Sequence, residues 1–122
     1  MEKLTRQEEE AMLLIWKAAP CCVKDVLECY EEPRPPYTTL ASIVKNLQQK
    51  GFVKARRVGS TYEYTPLVAQ ADYKRDFLRR IVSHYFDNSY KEMVSFFAEE
   101  QVISDQDLTE IMRMIQKEKK DH

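Results

Sequence analysis

Residues 37–51, YTTLASIVKNLQQKG, constrain this chain more than any other stretch. On a helical projection Leu40, Ile43, Val44 and Leu47 fall at the i, i+3, i+4, i+7 spacing of one apolar stripe. The rest of the surface is Thr38, Thr39, Ala41, Ser42, Lys45, Asn46 and Gln49, and it contains no acid. A solvated helix ordinarily carries glutamates there. Short hydroxyls, amides and one lysine instead let the helix approach phosphates and base edges closely. Lys50-Gly51 then supplies a cation in the last turn and a residue that tolerates the left-handed cap.

The charge distribution supports the same interpretation. The formal net charge of the 122 residues is −1, yet residues 33–62 hold six cations (Arg34, Lys45, Lys50, Lys54, Arg56, Arg57) and no Asp or Glu. Such a stripe is an electrostatic footprint for a polyanion. Apolar residues at 43%, charged residues at 32% and only two glycines describe a folded, helix-rich chain of one domain, or one small domain plus an arm. No apolar run approaches the roughly 18 residues of a membrane span, and MEKLTRQEEE lacks a signal-peptide core. The expectation is a cytoplasmic protein without membrane insertion. Cys21, Cys22 and Cys29 are an odd number, which excludes a complete disulfide framework, and no His lies near them in sequence to suggest a metal. Neither a metal site nor a cofactor is expected.

Upstream, Thr5 and Glu8 have the reciprocal capping spacing, Met12, Ile15, Trp16 and Ala19 mark an inner face, and Pro20 ends the helix. Glu8, Glu9 and Glu10 are expected to be solvated in its first turn. A shorter helix is expected over residues 22–31, with Val23, Val26, Leu27 and Tyr30 inward. EEPRPP follows as a rigid turn whose Arg34 either meets a phosphate or serves the turn itself. The two helices make a helix-turn-helix. Downstream of Gly51 the alternation predicts a two-stranded hairpin turning at Gly59-Ser60, so the motif is of the winged subclass. Lys54, Arg56 and Arg57 would reach the sugar-phosphate backbone from this wing, or else protect a charged strand edge.

Past Pro66 the composition changes. Helices are expected over residues 69–86, from Ser89 (with Glu92) and from Ser104 (with Asp107). Their apolar residues include Tyr73, Phe77, Ile81 and Tyr85, then Met93, Phe96 and Phe97, then Leu108, Ile111, Met112 and Ile115. Three short, aromatic helices do not close a core by themselves, so a homodimer is inferred; the last stripe alternatively serves an intramolecular core. His84 is expected as a partly buried helix residue, and residues 116–122 are expected to fray. The predicted fold class is mainly α with a small β-wing: a winged helix-turn-helix over residues 1–67, followed by a helical dimerisation arm over residues 68–122.

Four phrases in this order, AMLLIWKAAP, TTLASIVKNLQQKGFV, YEYTPLV and SDQDLTEIMRMI, resemble the penicillinase-repressor family of bacteria, the BlaI/MecI/CopY group of winged-helix repressors. The resemblance covers nearly the whole chain. It implies a homodimer on a palindromic double-stranded DNA operator, blocking transcription of a resistance or stress operon. In the family the recognition helix opens with Lys-Thr and, after one residue, Arg-Thr; the matching positions are Thr38, Thr39, Ala41 and Ser42. The hydroxyl positions are kept and the basic ones lost, so a different operator is expected, one where Thr and Ala touch thymine methyls.

The resemblance also implies a sensor or protease that relieves repression, by cutting an Asn-Phe bond in the aromatic helix of beta-lactam-responsive members. The aligned pair here is Phe96-Phe97, without the Asn. Copper-responsive relatives use a cysteine-rich tail, and no cysteine follows Cys29. The competing functional class is a winged helix that docks a protein partner instead of DNA. An enzyme is not expected: there is no Gly-rich phosphate loop, His-Glu-x-x-His pattern or nucleophile elbow.

Overall fold

The computed structural model describes residues 1–121, with side chains through Glu118. It is mainly helical with one two-stranded sheet, in the order α1 (Arg6–Ala18), α2 (Val23–Cys29), α3 (Tyr37–Gln49), β1 (Val53–Val58), β2 (Thr61–Pro66), α4 (Gln70–Tyr85), α5 (Tyr90–Glu99) and α6 (Asp105–Asp121). The chain divides into two compact units, Met1–Asp76 and Phe77–His122. Of the expectation for the tail, α6 continues to Asp121, while His122 and the side chains of residues 119–121 lie outside the described residues.

In the first unit each element forms for a local reason. Thr5 caps α1: its Oγ1 accepts from the Glu8 amide at 3.2 Å, and Glu8 Oε1 accepts from the Thr5 amide at 2.9 Å. Helix α2 is shorter than the expected 22–31; Tyr30 already has extended backbone as its C-cap, with the proline-rich turn following. Helix α3 ends at Gly51, whose φ of +82° is costly for any residue with a Cβ. The hairpin pairs Val53 with Pro66 through Val58 with Thr61 and turns at Gly59-Ser60. One further rung, the backbone exchange between Cys21 and Tyr64, ties the α1–α2 connection to the edge of β2.

These elements close one core. Met12, Ile15, Val26, Leu40, Val44, Leu47, Phe52 and Val53 are buried from solvent in it. Tyr73 and Val68, both placed in the arm by the sequence, pack with them. Tyr73, expected in the dimer surface, is instead buried with its ring 5.5 Å from Trp16 and 5.9 Å from Phe52, and its hydroxyl donates to Glu9. The indole of Trp16 donates to the Val68 carbonyl at 2.9 Å. These long-range contacts carry the first unit past the expected boundary at residue 67 and into the first turns of α4. Glu8, expected in solvent, is 4% exposed.

The second unit is built differently. Helix α4 stops where Asp87 and Asn88 take left-handed backbone, and the Asn88 amide donates back to the Val82 carbonyl at 3.0 Å. Ser89 and Ser104 cap α5 and α6 by accepting from the amides of Glu92 and Asp107. The rings of Phe86, Phe96 and Phe97 follow one another at 5.8 and 6.4 Å. Val82 is the one fully buried apolar side chain here among the described residues.

Candidate nucleic-acid interface

Helix α3 presents its stripe Leu40, Ile43, Val44 and Leu47 to the core, which fixes what faces out. Thr38, Thr39, Ser42, Lys45 and Asn46 are exposed and Ala41 is half-buried. Ser42 Oγ donates to the Thr38 carbonyl at 3.1 Å, which orients that hydroxyl along the helix. At the N-terminal end Pro36 contributes no side-chain cap, and the first turn has no acid. The positive end of the helix is therefore uncompensated by its own residues. Beside it a cleft of about 290 Å³ is lined by Gln7, Glu10, Tyr30, Pro33, Arg34, Pro35, Thr39 and Ile43. Glu10 therefore brings one carboxylate, from α1, near a face that is acid-free in its own sequence. Burial, and after it the Glu10 charge, raises the Tyr30 phenol above its ordinary value.

The six cations of the basic stripe divide into distinct roles. Arg34 curls back on α2, with Nε donating to the Tyr30 carbonyl at 3.1 Å and Nη2 to the Glu28 carbonyl at 3.3 Å. It thus satisfies carbonyls at the end of α2, the turn-serving alternative. Lys50 is drawn to Glu8, at 2.5 Å. Lys45 stands exposed on α3.

On the wing, strand alternation separates residues that adjacent numbering places together. Val53 is buried and Ala55 half-buried, so Lys54 and Arg56 face the opposite side of the hairpin and Arg57 shares the side of Val53 and Ala55. Lys54 and Arg56 line a shallow depression of about 410 Å³ with Pro20, Glu63, Thr65 and Pro66, and Arg56 pairs with Glu63 at 3.1 Å. Arg57, beyond the core near the tip, donates from Nε to the Gly59 carbonyl at 3.4 Å. The three wing cations thus divide between the two faces of the hairpin. On β2, burial first, then Tyr37 and Tyr62, raises the Tyr64 phenol.

The family model described as Penicillinase repressor matches residues 4–117. The chain belongs to the penicillinase repressor family. This is a family of transcriptional repressors. Similar proteins include the methicillin resistance regulatory protein MecI of Mammaliicoccus sciuri, 20% identical over 94% of each chain. The penicillinase repressor of Bacillus licheniformis is 21% identical over 96% of this chain and 92% of its own length. An uncharacterised 16.5 kDa protein of Latilactobacillus sakei is 18% identical over 93% of this chain and 78% of its own.

As a penicillinase repressor family member, the chain carries its remaining predicted site residues on the second unit. Phe77, Tyr85, Phe96, Ile111, Met112 and Ile115 are exposed, and Ile81, Met93, Phe97 and Leu108 are half-buried. The cysteines are free thiols; burial, followed by the Asp25 charge, pushes Cys21 up to about 11. Among the described residues no group of three His, Cys, Asp or Glu is placed to hold a metal, and no helix is long and apolar enough to cross a membrane. What the sequence did not reveal is the capture of Lys50 by Glu8, because the partners lie 42 positions apart.

Proposed function

We propose that this family member represses transcription as a homodimer on a palindromic operator, reading base edges with the outer face of α3. The observation that carries this is the composition of that face: short hydroxyls, an amide and one lysine, fixed outward by a fully buried opposite stripe, with no acid along the helix. Thr38, Thr39, Ala41 and Ser42 would stand at base edges in the major groove, with Asn46 following on the same face. Lys45 and Arg57 would neutralise phosphates, and the uncapped first turn of α3 would favour a further phosphate. Lys54 and Arg56, on the reverse side of the wing, would contribute mainly to the field around it.

The second copy is supported by the apolar side chains that the second unit leaves in solvent, Phe77, Tyr85, Phe96, Ile111 and Ile115 among them. Their burial against a partner would set two winged helices on half-sites about one helical turn apart, roughly 34–36 Å, or a multiple of it. The regulated genes would be those of a resistance or stress operon, by kinship with the resistance regulators. Since Phe96 takes the place of the scissile Asn, a sensor or protease that relieves repression would act at a bond other than Phe96-Phe97.

Selection of bound duplexes from a random DNA pool at near-physiological salt tests this directly. A palindrome with fixed dyad spacing is the expected product. Enrichment of nothing, with retention on heparin no greater than that of a neutral protein, would defeat the assignment in favour of a partner-docking winged helix. Arg57→Gln should lower the slope of log affinity against log salt by about 1.8 per dimer, one phosphate in each half-site.

A further inference from the structure

Lys50 belongs to the basic stripe by sequence, yet its ammonium is engaged on both sides by the N-terminal end of the chain. It donates to Glu8 Oε1 at 2.5 Å and to the Lys3 carbonyl at 2.9 Å. The same Glu8 oxygen accepts from the Thr5 amide, so one buried carboxylate both completes the cap of α1 and holds Lys50, the C-cap of α3. The next residue of α1 adds an indirect link through α4. Glu9 accepts from Tyr73, whose ring packs edge-on against Phe52, the first residue beyond the Gly51 cap.

The first turn of α1 therefore holds the C-terminal end of α3 directly through Lys50, and Phe52 just beyond it indirectly through Tyr73, all within the first unit. Lever length makes this consequential. Helix α3 has 13 residues, about 20 Å at 1.5 Å per residue, so a tilt of about 5° at its anchored end moves Thr38 and Thr39 by about 1.5 Å. Hydrogen bonds to base edges do not survive such a displacement, whereas attraction to phosphates changes little.

We infer that Glu8 and Lys50 are positioning residues for sequence readout: the pair sets the angle of α3, and Lys50 is not a phosphate contact. This rests on the DNA-binding function proposed above. A phosphate contact and a positioning residue make opposite predictions for Glu8. Removing the Glu8 charge would free a cation and strengthen binding if Lys50 met phosphate, but would loosen α3 and weaken readout if Lys50 positions it.

The test uses the full chain, the duplex recovered by selection and a random-sequence duplex, each titrated over a salt series with wild type, K50M, K50R, E8Q and R57Q. Folding is checked by circular dichroism at the titration temperature. K50M and E8Q are both expected to lose roughly tenfold in affinity for the selected duplex. Their affinity for random sequence and their salt slope should match wild type, and K50R should restore discrimination. General destabilisation of a protein that remains folded does not change that ratio. E8Q, which keeps an acceptor for Thr5 and Lys50, carries the test if K50M does not fold.

Two results overturn the inference. One is a K50M salt slope reduced by as much as that of R57Q, with E8Q binding as tightly as wild type or tighter. The other is an unchanged ratio of selected to random affinity in both K50M and E8Q. Wild type that binds neither duplex would instead remove the DNA-binding function itself, and this assignment with it.

Discussion

The two units of this chain use similar helices for different ends. In the first, α1, α2, α3 and the hairpin bury Met12, Ile15, Leu40, Val44, Leu47 and Phe52 almost completely. In the second, Val82 alone reaches that state among the described residues, while Phe96, Ile111, Met112, Met114 and Ile115 are each more than 40% exposed. Both units have good local signals, including side-chain caps at Thr5, Ser89 and Ser104. The difference teaches that capping and periodicity make helices, but burial of the stripe decides whether a unit is complete. The first unit is closed by its own residues, whereas the second leaves apolar side chains in solvent that the proposed second copy would cover.

The largest expected effect tests closure of the first unit. Phe52→Ala removes a ring 1% exposed and packed against Tyr73, and should cost about 3–5 kcal/mol of stability. Trp16, the single tryptophan, lies beside Tyr73, so its fluorescence follows this unfolding. A cost below about 1 kcal/mol in denaturant titration would contradict a well-packed core at that point.

Next comes the opposite operation on the second unit. Ile111→Glu with Ile115→Glu places two carboxylates at i, i+4 on the exposed stripe of α6. Sedimentation should show monomers, with a loss of about 10²-fold in operator affinity as the two half-sites cease to be linked. The Trp16 transition should remain where wild type has it. A doubly substituted chain that stays dimeric at full affinity would move the dimer surface away from α6.

How far these differences were legible depends on the range of the interaction. The caps at Thr5 and Ser89 join residues three apart, and the α3 stripe repeats over seven, so sequence alone located them. Tyr73 was misplaced because its helical period fits the arm's apolar band equally well; only the distant Trp16 and Phe52 decide its burial. Lys50 counts as a free cation until Glu8 folds against it. Arg56 and Arg57 illustrate a different failure. The parity that separates them was present in the strand pattern, but their common charge grouped them. The boundary between units was similarly hidden, since Val68 and Tyr73 follow the wing in sequence but complete the core in space.

The caps provide a smaller and more selective comparison. Thr5→Ala breaks a reciprocal box whose Glu8 is buried, whereas Ser104→Ala removes a single exposed hydrogen bond at 3.0 Å. The former should cost about 1–2 kcal/mol and the latter about 0.5 kcal/mol, measured by thermal unfolding. Equal costs would show that the buried carboxylate adds nothing to the cap.

Acid should separate the units by the shallowest effect, because among the described residues the two carboxyls held below their ordinary values, Glu8 and Asp25, both belong to the first. Burial pushes Glu8 up, but the Lys50 hydrogen bond, the Thr5 amide and the Lys50 charge outweigh it. Asp25 is lowered chiefly by the Cys22 amide and then by the Cys22 side chain. A carboxyl with a lowered folded value binds its proton more weakly in the folded than in the unfolded chain. Its stabilisation is therefore complete above the ordinary value, 4.5 for Glu8 and 3.8 for Asp25, and is lost as pH falls through the folded value. Stability followed at Trp16 should be level from neutrality to about pH 5 and decline below it. Lys50→Met removes the cation that holds Glu8 down, so its decline should be shallower than that of wild type, with the Asp25 share intact. Identical acid profiles for wild type and Lys50→Met would mean that the ammonium does not govern Glu8, and that the contact between α1 and the end of α3 is held by packing alone.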